Sequence, residues 1–403
     1  MADYQENMVL DVQLDPLGRL EFSIRAPIEC KFRFSSWESG LIYERFEGET
    51  WNPESLDCGI ALLDLAESQA TNSDILAFLS NIPADVRSLA APFRYGQSTM
   101  LKWIATNQYA AELFKSAPLL FWMLIARQQL VGWPDAHVEN LFSSQRSKVL
   151  SAISGVSHRS GLKFLNRIEL DEGNEKECEI LINALRSGFH QSRCGQEKRI
   201  PMHWVGAAAA YPELSHSRAF HNFCLASPEP STEFNRELRQ FARFWEDALN
   251  VARVVEIYDA EIALNRCKDF QAVRRLHDRW TDRLNQRQAL VVDGATAFPA
   301  TPVPGNADIH PIQTLEDLQA EGRLMHHCVS VYEAKIRAGS CYIYRMLKPE
   351  RATIELRFSG NQIRLGQVYL AYNGQPSSET MEHVNSWVYG SVKNSAIKTA
   401  PSR

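Results

Sequence analysis

Hydrophobic and polar positions alternate with period two near the start of the chain. "MVLDVQL" and "RLEFSIRA" flank "DPLG", where Pro16 and Gly18 predict a turn and the whole a hairpin. "CKFRF" then sets Cys30, Phe32 and Phe34 against Lys31 and Arg33, the pattern of a half-buried strand. From about residue 53 the period changes to helical. Leu238, Phe241, Ala242, Trp245 and Leu249 recur at spacings of three and four, behind a capping Ser231 or Thr232, and Phe270, Val273, Leu276, Trp280 and Leu284 do the same. Further helices are predicted around 75–82, 97–115, 118–131, 147–155, 176–189 and 205–210. No fixed period repeats, so an irregular bundle is expected rather than a solenoid.

"LVVDGATAFPATPVPGNADIHP" breaks the helical pattern with prolines and glycines and predicts a linker. Beyond it, Thr314 caps a short helix expected to end at Gly322, and Val329, Tyr332 and Ile336 mark a second one closed by Gly339. "CYIYRM", "RATIELRF" and "RLGQVYLAYN" read as strands. Met381, Val384, Trp387 and Val388 share a face of a last helix. The expected fold class is α+β: an N-terminal β-rich unit (1–52), an irregular helical middle (53–290), a linker (291–313) and a C-terminal α+β domain (314–403) with a three-stranded antiparallel sheet.

Composition narrows the class. Of 403 residues 45% are hydrophobic and 23% charged, as in folded globular chains. The net charge of −5 gives no global basic field. Eight cysteines stand singly with no CxxC, so reduced thiols in a cytoplasm are expected. The N-terminus lacks the basic and apolar regions of a signal peptide. The most apolar run, "APLLFWMLIA", is too short to cross a bilayer and predicts a buried helix, so no membrane partner is expected.

Strand alternation puts Thr353, Glu355 and Arg357 on one side of the second C-terminal strand, and Gln367, Tyr369, Ala371 and Asn373 on one side of the third. Glu355, Gln367 and Asn373 therefore define a candidate polar face on which His327 and Cys328 would pack. Histidine titrates near neutrality and suits acid–base work. A cysteine nucleophile needs a lowered thiol pKa and a base in reach, and adjacent side chains on a helix do not face each other, so activation of Cys328 by His327 demands an irregular backbone. A packed core cysteine is the more ordinary outcome. Zinc would draw on His310, His326, His327, Cys328, Cys341 and His383, but the one dense cluster has no second ligand pair, and no metal is expected. "HDRW" places His277 beside Leu276 and Trp280, the flank of a core. No GxxxxGK[ST], HExxH or GxSxG is present, and no pattern names a cofactor. Between 320 and 365 eight basic side chains stand against four acidic ones, interleaved with tyrosines, a composition suited to nucleotide or single-stranded nucleic acid.

"LHDRW" (276–280), "EG…MHHCVSVY" (321–332), "GSCYIY" (339–344), "RATIEL" (351–356) and "GQVYLAYNGQPS" (366–377) together resemble the PcfJ-like family, over about 270–390. Its pattern is a His-Cys-Val followed by a tyrosine, an Ala-Thr-hydrophobic-Glu strand, and a Gln a few residues before an Asn. His327, Cys328, Val329, Tyr332, Glu355, Gln367 and Asn373 fill those places. Val331 stands where the family often has Gly, and Ala371-Tyr372 precede the Asn where it often has a basic residue. The resemblance implies a bacterial protein of conjugative plasmids, phages or other mobile elements, without implying a settled activity. Three functions are open. The first is recognition of nucleic acid, a nucleotide or a protein partner, with Tyr332, Arg351, Arg357, Gln367 and Asn373 holding the ligand and Arg364 nearby. The second is an enzyme acting on an anionic substrate through His327, Cys328 and Glu355. The third is a non-catalytic assembly subunit whose helical middle binds another protein.

Overall fold

In a computed structural model, residues 10–24, 29–54, 59–65, 72–288, 297–359 and 362–398 are described. Met8 and Val9 of the expected hairpin, Cys58, residues 291–296 of the expected linker and residues 399–403 lie outside them. The chain divides into two compact units, Met1–His216 with Ser227–Pro230, and Ser217–Ala226 with Ser231–Arg403. The division points lie between residues 216 and 231.

The first unit opens with five antiparallel strands in sequence order, β1 (Leu10–Leu14), β2 (Leu20–Ile24), β3 (Cys30–Phe34), β4 (Tyr43–Glu47) and β5 (Thr50–Pro53). At the first turn Asp15 Oδ1 accepts from the backbone N–H groups of Leu17 and Arg19 (2.8 and 2.9 Å), and Gly18 supplies the positive φ of +74°. Phe22, Phe32 and Phe34 fill the buried face, the first two stacked at 4.7 Å. Helices follow. Asn107, at φ −132°, breaks the expected helix 97–115 into Gln97–Thr106 and Gln108–Ser116 and caps the second. Pro118–Val131 is buried from Leu119 to Ala126 and stops at Gly132 (φ +68°), the buried helix its apolar run predicts. Among the described residues no helix is long and apolar enough to cross a membrane.

The second unit carries the C-terminal chemistry. Its helices relevant to the site are α1 (Thr232–Val254), α2 (Phe270–Gln288), α3 (Leu315–Met325), α4 (Glu333–Arg337) and α5 (Ser378–Lys398). Ser231 Oγ caps α1 by accepting from Phe234 N at 3.0 Å. The apolar stripe of α1 packs on α2, with Phe241 and Phe244 both 5.4 Å from Phe270. The sheet has four strands rather than three, in the order β9-β8-β7-β6: β6 (Ile309–Pro311), β7 (Cys341–Met346), β8 (Ala352–Ser359) and β9 (Gln362–Tyr369), all antiparallel. The added strand comes from the segment expected to be a linker. That segment is part of the fold because its apolar residues are needed inside. Phe298 and Val303 are buried, Val303 O accepts from Tyr344 Oη at 2.9 Å, and Pro304 O accepts from Trp387 Nε1 at 3.1 Å.

One face of this sheet, with Tyr344, Ile354 and Val368, is covered by Val384, Trp387 and Val388 of α5. The other face presents Ile343, Glu355 and Gln367 in register. Phe244 of α1 lies 6.1 Å from Tyr369 on that side. Helix α3 does not end at Gly322. It runs to Met325, because His326 takes the left-handed cap (φ +52°). Gly322 instead lets the chain fold back, since a Cβ there would lie 3.2 Å from His327 O and 3.3 Å from Asn285 Oδ1.

Candidate functional site

The left-handed cap at His326 sends the chain out of α3 in an irregular turn. His327 N donates back to Gly322 O at 3.0 Å, and Val329–Tyr332 form a single 3-10 turn. The turn lays His327, Cys328, Val329 and Tyr332 over the polar face of the sheet, where they meet Ile343, Thr353, Glu355, Gln367, Tyr369 and Asn373 around a cavity of ≈ 30 Å³. Such a volume holds about two water-sized atoms. Six of the expected site residues, His327, Cys328, Tyr332, Glu355, Gln367 and Asn373, thus line one cavity. His326 points elsewhere, stacked on Tyr372 at 4.1 Å.

A β-bulge creates the carboxylate–amide pair. Glu355 faces Gln367, the next pairing is Leu356 with Leu365, and Gly366 is left over. Leu365 therefore stays with the apolar face while Gln367 joins the polar one. Glu355 is buried, and its carboxylate accepts from Arg357 Nε and Nη2 at 2.8 and 3.1 Å. Asn373 is not on the strand. Strand β9 ends at Tyr369, and a turn over Ala371–Asn373 carries Tyr372 (φ +55°) and Asn373 (φ +54°) in left-handed conformations. Arg274 Nη2 braces it by donating to Tyr372 O (2.7 Å) and Asn373 O (3.2 Å). Asn373 is 5% exposed, and its Nδ2 has no hydrogen-bond partner.

The remaining wall is Asp247 of α1, which sequence reasoning missed. Tyr332 Oη donates to its Oδ1 at 3.0 Å, and Gln367 Nε2 lies 3.5 Å from its Oδ2. Asp247 follows Phe244 by three and precedes Val251 by four, both buried, so it is an acid in line with an apolar stripe. That mismatch was the available signal. Burial pushes its carboxyl above the usual range, and Glu355 adds to the rise against the opposing pull of His277 and Tyr332.

Protonation follows from the same packing. His327 Nε2 lies 2.7 Å from Leu370 O, and since a carbonyl only accepts, Nε2 carries the proton. Burial lowers the pKa of this imidazole, against the Leu370 bond, which favours the neutral ring with Nδ1 as acceptor. Burial lifts the Cys328 thiol well above its usual range, with Asp247 adding to it, so Cys328 is a neutral thiol, the state of a packed cysteine. Tyr369 is pushed up to about 12 by burial.

Arg351 and Arg357 do not line the cavity. Arg351 donates to the buried Glu321 and to the carbonyls of Met346 and Ala352, while Glu321 also accepts from Thr353 Oγ1 at 2.6 Å. Arg357 is held by Glu355, and Arg364 donates to Gln362 Oε1. His277 is buried and lies 3.1 Å from its neighbour Asp278, on the flank of the core. His310 contacts Ala307 O and His383 lies by Asp308. Among the described residues no group of three or more His, Cys, Asp or Glu is placed to hold a metal ion.

A wider groove of ≈ 750 Å³ adjoins the cavity and shares Gln367 and Tyr369 with it. One bank is Arg236, Glu237, Arg239, Gln240 and Arg243 of α1, and the other is β9 from Leu365 to Tyr369 with Gln375, Pro376 and Met381. Strand β9 is an edge strand. Arg236 pairs with Glu233, and Arg243 Nη1 donates to Gly366 O at 3.4 Å. Among the described residues neither Arg239 nor Arg243 pairs with a carboxylate.

Residues 244–385 match the family model described as PcfJ-like protein, so the resemblance holds and its region begins earlier than the motifs suggest. The matched stretch contains Asp247 and every other residue lining the cavity. No curated protein and no solved structure matches the chain.

Proposed function

We propose that the PcfJ-like region recognises single-stranded nucleic acid, its phosphates lying along the groove between α1 and β9. The observation that carries this reading is the pair Arg239 and Arg243, exposed, one helical turn apart on one face of α1, and without acidic partners. Cations already neutralised by carboxylates attract a phosphate weakly, which moves the anion site away from Arg351 and Arg357. Tyr372, 56% exposed and stacked on His326, supplies a face for a base. The setting we propose is the bacterial cytoplasm, in the service of a mobile element or a conflict system, with the helical region free to bind a protein partner.

The test is anisotropy of a labelled single strand titrated with the full chain at several salt concentrations. Binding that falls steeply with salt is expected. Binding that is absent, or indifferent to salt, refutes the reading.

A second reading is acid–base catalysis on an anionic substrate. Its support is that a neutral His327, able to accept a proton at Nδ1, and the raised carboxyl of Asp247 line one cavity. Cys328 has no nucleophilic part in it, and Glu355, held by Arg357, orients rather than transfers. Salt-sensitive binding by the parent protein, without any turnover, would leave only the first reading.

A further inference from the structure

We infer that the cavity beside the groove receives the hydrogen-bonding edge of a nucleobase, and that Asn373 Nδ2 is the donor that reads it. This rests on the proposed function, because it places the base of a strand whose phosphates occupy the arginine bank. The starting observation is a buried amide with nothing to donate to. Unsatisfied buried donors are rare because nothing replaces the hydrogen bond they lose with water. Here the donor is also held in place at conformational expense, by two successive left-handed residues braced by Arg274. A backbone fixed in that way presents the amide to the cavity rather than leaving it to find a partner.

The chemistry of the walls selects the occupant. Two carboxyl groups, of Asp247 and Glu355, line the space, so a phosphate would meet repulsion there while the arginines outside attract it. A cation would meet the NH2 of Asn373, which offers no lone pair, and Glu355 already has Arg357. A neutral group bearing an acceptor atom is left. The volume, ≈ 30 Å³, takes the rim of a ring and not the whole of it. Tyr332, Tyr369, Val329 and Ile343 give that rim flat and apolar flanks. Gln367 and Tyr369 belong to both cavity and groove, so one nucleotide can span the two.

The test compares a natural-base single strand with an abasic strand of equal length, by anisotropy with the full chain at fixed salt. The natural strand is expected to bind about tenfold tighter, with both strands showing the same salt slope. Asn373→Gly removes the donor, adds no charge and tolerates the left-handed backbone. It should bring the affinities for the two strands to within about twofold of each other. Free nucleosides, which carry no phosphate, should compete away the excess affinity of the natural strand in the unaltered protein, a measurement that needs no variant. Equal affinity for the two strands overturns this inference and leaves the groove reading standing. Failure of both strands to bind overturns both. A preference for bases that persists in a folded Asn373→Gly protein overturns the assignment to this cavity.

Discussion

Gly366→Ala is the sharpest perturbation of the site that replaces no charged side chain. Gly366 is the extra residue of the bulge, and its φ lies outside the left-handed region, so an alanine would be tolerated there on backbone grounds. Space is what forbids it. A Cβ would lie 2.6 Å from Glu355 Oε2, 2.9 Å from Glu355 Cδ and 3.1 Å from Arg357 Nε. Ordinary contact begins near 3.4 Å, so the carboxylate would have to retreat by 0.8 Å. It cannot do so freely, since Glu355 is 4% exposed and doubly bonded to Arg357. Overpacking of this kind costs about 1–3 kcal/mol. The reduced freedom of the unfolded alanine chain returns roughly 0.4–1 kcal/mol. A net loss of about 1–2 kcal/mol is expected. The assay is the urea midpoint of the transition carrying the second unit, at constant slope. Glu355→Asp withdraws the carboxylate by one methylene, so the alanine should cost about 1 kcal/mol less in that background. A neutral Gly366→Ala, or an equal cost in both backgrounds, refutes the clash and with it the placement of Glu355.

Three further outcomes follow from the geometry. Arg239→Ala and Arg243→Ala should each reduce the slope of log affinity against log salt by about 0.7 for a single strand. An unchanged slope would remove that arginine from the phosphate contact. Cys328 should resist iodoacetamide at neutral pH in the folded chain and react in denaturant, and rapid labelling of the native thiol, read by peptide mass, would contradict its burial. His327 gives a pH signature. Its folded pKa is depressed by burial, so below 6.5 the unfolded chain takes up the proton more readily. The stability it contributes is complete above 6.5 and is lost as pH falls through the lower folded value. His327→Gln should flatten that part of the profile of urea midpoint against pH, and an identical profile would show that another group titrates.

The chain's local patterns determined a good deal. Period two located the strands and assigned Glu355 and Thr353 to the face opposite Ile354 and Leu356, and Ser231 and Thr314 marked helix starts that their side chains do cap. Alternation placed Glu355 and Gln367 on their strands, whereas His327, Cys328 and Asn373 reach the same cavity through irregular turns that have no period to read. What alternation could not show is the bulge. Leu365 and Gln367 are two apart and read as one face, and only pairing with β8 reveals that Gly366 separates them. Left-handed residues at 326, 372 and 373 are likewise dictated by how neighbouring segments bond, not by residue type. The prolines of 297–311 read as a linker because sequence reports turn chemistry, whereas Phe298, Val303 and Ile309 are inside because the sheet needs their apolar surface. Asp247 depends on contacts across 85 and 120 residues, and the pairing of Arg351 with Glu321 on one across 30. Local pattern says which face of an element avoids water; only the packed chain decides which faces meet, and therefore which charges are already answered.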